Sequence, residues 1–119
     1  GRSMGVGTGA GMTQDLVPGM LRVQCAGFDP VALVLAGDLD RCSYPSLGRM
    51  LAELEQGGVR RVELDLSGVD LVDIRAAQWL YAQRRAMQAR GCELAIRGAT
   101  PWVSRVLGIL GVQEVLTAN

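Results

Sequence analysis

Between Arg61 and Met87 the spacing of apolar residues changes from alternation to the helical repeat, and this limits the chain to folds in which a strand feeds a helix. In RVELDL, Val62, Leu64 and Leu66 alternate with charged residues, the pattern of a strand with one covered face. Downstream of Asp73, the residues Ala77, Leu80, Tyr81, Arg84 and Met87 fall near one face of a helix that runs to Arg90 and is closed by Gly91. The joint between the two, DLVDIRAA, is chemically odd. Asp73 suits a helix N-cap, but Ile74 is apolar and Arg75 carries the wrong sign for the positive end of a helix dipole.

Around this unit the rest of the chain reads as further strands and helices. Leu21 to Ala26 and Val31 to Ala36, separated by GFDP, form a predicted hairpin. Ser46 to Glu55 is a predicted helix with Leu47, Met50, Leu51 and Leu54 on one face, Ser43 as its N-cap, Pro45 in the first turn and Gly57 and Gly58 at its end. Cys92 to Ile96 is a further strand, and Pro101 to Leu110 a short helix with Val103, Val106, Leu107 and Leu110 inward. GVQEVL supplies a last extended piece. The order β-β-α-β-α-β-α-β predicts a single α/β domain with a mixed sheet of four to five strands and helices packed mainly on one face. The uniformly apolar VALVLA run predicts in addition a central strand covered on both sides.

The first 19 residues are glycine-rich and have little to bury, so a flexible tail is expected over residues 1–19 and the domain over 20–119. Gly1, Arg2 and Ser3 ahead of Met4 look like a cloning remnant, with a natural start expected at Met4 or Met12.

Composition narrows the function classes. The 119 residues include 12 basic and 12 acidic side chains, so no whole-chain field draws in nucleic acid or an anionic membrane. Histidine is absent, which removes the commonest general base and metal ligand together. The three cysteines, Cys25, Cys42 and Cys92, are widely spaced without a CxxC pair and read as free thiols in a reducing cytoplasm. No apolar run reaches the roughly 20 residues of a membrane-spanning helix, so membrane insertion is not expected.

Individual motifs carry little chemistry of their own. GVGTGAG has a GxGxxG-like spacing but no strand before it, so a dinucleotide loop is not expected. Asp38 and Asp40 in GDLD read as turn-formers and caps beside a helix start rather than as paired catalytic or magnesium-binding carboxylates. Trp79, with polar helical neighbours Arg75 and Gln83, is expected on an exposed face and is the better interface anchor of the two tryptophans. Arg84, Arg85 and Arg90 complement the C-terminal end of the helix dipole.

Taken together, GDLD and its following helix, VELDLSGVDLVD, and GCELAIRGATPWVSRVLGILGVQEVL resemble the STAS domain, and in particular the small bacterial anti-sigma factor antagonists. The likeness runs from Leu21 to Leu116. In that family the second strand ends in Gly-Glu-Leu-Asp, which Gly37, Asp38, Leu39 and Asp40 match with a shorter acid. The third strand and its loop read close to DLSGVxFxD, matched by Asp65, Leu66, Ser67, Gly68, Val69, Leu71 and Asp73.

The resemblance implies a non-catalytic protein-binding module without a cofactor. Its antagonists bind an anti-sigma factor, often a serine kinase related to histidine-kinase ATPases, and so free a sigma factor for transcription. STAS domains also serve transporters and lipid-export ATPases, which leaves an accessory subunit of a membrane transport assembly, ABC-type or lipid-transporting, as the alternative. A nucleotide-binding or hydrolysing enzyme is disfavoured by the lack of a Walker-type loop. The expected partner-binding residues are Asp38, Asp40, Arg41, Ser43, Asp73, Ile74, Arg75, Ala76 and Trp79, the partner an anti-sigma factor or another regulatory protein, and self-association through Trp79 is left open.

The family's switch is a serine directly after the aspartate, in Asp-Ser-Ser/Thr-Gly; phosphorylation adds a charge of about −1.5 to −2 there and expels the antagonist. In this chain the four positions are Asp73, Ile74, Arg75 and Ala76. Ile74 has no hydroxyl to phosphorylate. Arg75 puts a permanent cation beside the position where the family adds a dianion, at a dipole cost of ~0.3–1 kcal/mol unless a carboxylate pairs with it.

Overall fold

A computed structural model describes residues 13–17 and 21–109. The elements, in chain order, are β1 (Thr13–Val17), β2 (Leu21–Ala26), β3 (Val31–Leu39), α1 (Tyr44–Gln56), β4 (Arg61–Val72), α2 (Ile74–Ala89), β5 (Glu93–Arg97) and α3 (Pro101–Ile109). They form one five-stranded mixed sheet in the order β1-β2-β3-β4-β5. The first two pairings are antiparallel and the last two parallel. Because α1 and α2 each connect neighbouring parallel strands in the same direction, right-handed crossovers carry both to the same face.

The core lies between that face and the helices. Val23, Leu33, Leu35, Leu64, Leu66 and Ile96 from the strands are buried with Leu47, Leu51, Leu80, Met87, Val103 and Leu107 from the helices. Each such leucine is worth about 2–5 kcal/mol against truncation to alanine. Among the described residues no helix covers the opposite sheet face, where Arg61 pairs with Glu93 at 3.5 Å and Arg97 with Glu63 at 3.3 Å.

This one-sided arrangement corrects the expectation from VALVLA. In β3 the residues Val31, Leu33 and Leu35 are buried, whereas Ala32, Val34 and Ala36 on the open face are only half-buried. The strand is central in the sheet but, among the described residues, covered by helices on one side only; its Ala32, Val34 and Ala36 side chains on the other face are small. Two further differences concern extent. The sheet begins with β1, inside the glycine-rich segment 1–19, rather than at Leu21. The last predicted extended piece, GVQEVL, and Leu110 lie outside the described residues.

β4 is twice as long as its alternating run, continuing through Ser67 and Gly68 to Val72. Gly68 permits this, because a Cβ there would stand 2.9 Å from the Leu35 carbonyl oxygen of the adjacent strand. The β3–β4 ladder absorbs two irregularities and resumes at Asp38–Leu71 and Leu39–Val72. The ends of β3 and β4 are thereby fixed side by side. Among the described residues no helix is long and apolar enough to cross a membrane.

Candidate functional site

Parallel neighbours end at the same edge of a sheet, so the β3–α1 loop and the β4–α2 joint are adjacent. Asp73 ties them together. Its backbone N–H donates to the Leu39 carbonyl at 3.2 Å, fixing where the strand pair ends. Its Oδ1 accepts from the Ala76 N–H at 2.7 Å, the N-cap expected from sequence, and its Oδ2 accepts from the Arg41 N–H at 3.1 Å. One carboxylate thus closes the start of α2 and holds the loop before α1.

The β3–α1 loop has its own internal order, supplied by Asp40 and Ser43. Asp40 Oδ1 accepts from the N–H of Cys42 at 2.9 Å and of Ser43 at 3.1 Å, so Asp40 closes the turn ahead of α1. Ser43 occupies the N-cap position but makes no side-chain cap bond, which corrects the role expected for it. Its hydroxyl points backward instead, donating to the Asp38 carbonyl at 3.1 Å and accepting from the Asp40 N–H at 3.0 Å. Ser43 is fully buried, with its hydroxyl engaged as both donor and acceptor.

The nine residues singled out from sequence therefore separate by position. Arg41, Ile74 and Arg75 are exposed, with Ile74 58% accessible; Asp38, Asp40 and Asp73 are half-buried; Ser43 and Ala76 are buried and shape the surface from beneath. Trp79 is not the exposed residue expected. It is half-buried in the seam between α1 and α2, its ring stacked on Tyr44 with centroids 5.0 Å apart and 22° between the planes. Helical periodicity within α2 could not reveal this, because the neighbour that covers Trp79 belongs to another helix. Tyr44 was not singled out from sequence.

An open hollow of about 500 Å³ lies at this edge, lined by Arg41, Val72, Asp73, Ile74, Arg75 and Val106. Val106, expected to face inward, is half-buried and reaches the hollow from α3. Trp102, one helical turn earlier and so on the same face, is 56% exposed. The Arg41 and Arg75 guanidiniums have no carboxylate partner among the described residues, whereas Arg61, Arg90 and Arg97 each do. Among the described residues no group of acidic or cysteine side chains is placed to hold a metal ion. The groups on offer are two guanidiniums, one carboxylate already bonded to backbone N–H, and branched aliphatic surface. They suit the recognition of another protein surface.

Comparison with known proteins agrees with this geometry. The family model described as "Mlab, STAS domain" matches residues 25–117. The anti-sigma-B factor antagonist of Staphylococcus aureus is 25% identical over 85 residues, covering 71% of this chain and 79% of that protein. The fold superposes on the anti-sigma factor antagonist SpoIIAA in its unphosphorylated form with a TM-score of 0.66 at 15% identity, over 88% of this chain and 84% of that one. It also superposes on part of SLC26A9 with a TM-score of 0.62 at 14% identity, over 75% of this chain and 17% of that one. An Asp-capped second helix beside the end of the second parallel strand, in a chain that the family model matches over most of its length, places this protein: it belongs to the STAS-domain family.

Proposed function

We propose that this chain is a non-catalytic, cytoplasmic regulator of the anti-sigma factor antagonist kind, which binds an anti-sigma factor or a related regulatory protein without a serine phospho-switch. The observation that carries the reading is the Asp73 carboxylate, which joins the β3–α1 loop to the start of α2 and leaves Ile74 and Arg75 facing outward. The similarity to a named anti-sigma-B factor antagonist supports the sigma-regulatory direction. Loss of the hydroxyl at position 74 and burial of Ser43 support a binding surface that phosphorylation does not switch off.

The test is co-elution of the purified chain with candidate anti-sigma factors from its own source. A complex is expected with the native sequence, unchanged by ATP and magnesium, and lost with Arg75→Glu. Full retention of binding after the charge reversal argues against this surface, and dissociation on adding ATP argues against switch-free binding.

A second reading, an accessory subunit of a membrane transport assembly, is favoured by the Mlab description of the family model and by the likeness to part of SLC26A9. Co-purification with a transport ATPase, and with no sigma-regulatory protein, would select it.

A further inference from the structure

The hollow beside Ile74 combines two features that constrain what can occupy it. Its wall is aliphatic, from Val72, Ile74 and Val106, and its rim carries two guanidiniums, Arg41 and Arg75, against one carboxylate, Asp73, whose oxygens already accept from the N–H groups of Arg41 and Ala76. The two cations are brought to one place by Asp73: Arg41 through its backbone bond to Oδ2, Arg75 by standing two residues beyond the cap. Arg75 in the first turn of α2 also faces the positive end of that helix, a position that an added anion improves. An apolar wall with a cationic rim is complementary to an apolar side chain followed by a carboxylate.

The surrounding charge limits the occupant further. Asp38 near the end of β3, Asp70 near the end of β4, Asp40 in the loop after β3 and Asp73 at the cap of α2 stand at this edge of the sheet, four carboxylates near the two guanidiniums. A polyanion such as a bilayer surface or a nucleic acid meets repulsion from these carboxylates, whereas one carboxylate on an otherwise apolar segment meets two arginines against the single carboxylate of Asp73, which is already bonded to two backbone N–H groups.

We propose that the hollow takes an amphipathic helical segment of the partner protein, seating a large apolar side chain against Ile74 and Val106 and a single unmodified carboxylate, one helical turn away, between Arg41 and Arg75. This rests on the protein-binding reading above and names the chemistry of the partner at that surface. Ile74 and Arg75 then act as a matched pair: isoleucine supplies contact area where a serine would supply a phosphoacceptor, and arginine supplies the attraction.

A phage-displayed library of helix-forming peptides, selected on the full chain and re-assayed as synthetic peptides, tests it. Enriched peptides are expected to carry Glu or Asp three or four residues from a large apolar residue, and to bind about tenfold or more weakly to Arg75→Glu, to Arg41→Glu and to Ile74→Ala. A peptide whose Glu is changed to Lys is expected to regain affinity for the Arg75→Glu protein. Circular dichroism of each variant separates a surface effect from unfolding. Peptides that depend on Ile74 but carry no required carboxylate overturn the inference and leave the protein-binding reading standing. If no selected peptide depends on Ile74, both fall. Arginine-dependent binding to phosphatidylcholine vesicles with roughly one third phosphatidylglycerol, in place of acidic peptides, also overturns it, in favour of a lipid headgroup.

Discussion

The Arg41 N–H donates to Asp73 Oδ2 at 3.1 Å, a bond between residues 32 positions apart that makes two connections behave as one surface. Its significance lies in the other oxygen, which at the same time caps α2 through the Ala76 N–H at 2.7 Å. The same side chain therefore contributes to stability and positions the residues proposed for binding.

Asp73→Ala removes both bonds and leaves the Ala76 N–H beneath the surface without an acceptor. A loss of about 2 kcal/mol is expected, at the upper end of the range for an N-cap, measured by urea unfolding at constant slope. Asp73→Asn keeps one acceptor oxygen and is expected to lose less than half as much. Equal losses for the two substitutions would mean that the charge, and not the geometry, stabilises the joint.

Ser43→Ala leaves the Asp38 carbonyl and the Asp40 N–H without the hydroxyl that joins them in a fully buried position. The expected cost is about 1–3 kcal/mol, with faster amide exchange at Asp40 than in the native chain. An N-cap bond to the first turn of α1 would instead have shown itself as faster exchange at Ser46.

Gly68→Ala tests the close approach of β3 and β4. The added Cβ would lie 2.9 Å from the Leu35 carbonyl oxygen and 3.1 Å from the Ala36 Cβ, and backbone cannot yield as a side chain can. A destabilisation of about 1–3 kcal/mol is expected from the forced shift. A neutral result would show that the strand pair slides to admit a methyl group.

These sites show what was legible in the sequence and what was not. Alternation at Val62, Leu64 and Leu66 located β4, and the helical repeat through Ala77, Leu80 and Met87 located α2, because both patterns record burial against a single covering layer. Asp73 was legible as a cap because capping is local. The backward turn of the Ser43 hydroxyl was not, since both of its partners precede it in the chain. Trp79 misled for a related reason: its polar neighbours along α2 say nothing of Tyr44 across the seam. The Arg41–Asp73 bond depends on strand order, which no local pattern records.

Acid stability should depend on a contact far from the site. Arg90 donates to both carboxylate oxygens of Glu55, at 2.8 and 3.0 Å, joining the end of α1 to the end of α2. That hydrogen bonding holds the Glu55 carboxyl below its ordinary value of 4.5, against a smaller opposing effect of burial. A depressed carboxyl contributes stability that is present above its unfolded value and is lost as pH falls through the folded one. Glu55→Gln is therefore expected to be less stable than the native chain at pH 7, with the difference shrinking to nothing below the folded Glu55 value in thermal unfolding followed against pH.

Ile74 and Arg75 are proposed to form a binding surface that phosphorylation does not switch. Calorimetric titration of the full chain into a candidate anti-sigma factor that co-elutes with it, with and without ATP and magnesium, measures this directly, using the native sequence and a folded Ile74→Ala, Arg75→Glu variant. The native chain is expected to show one dissociation constant in both conditions, and the variant a value at least about a hundredfold weaker, roughly tenfold from each position. Equal affinity of the two proteins, or loss of native binding once ATP is present, would contradict it.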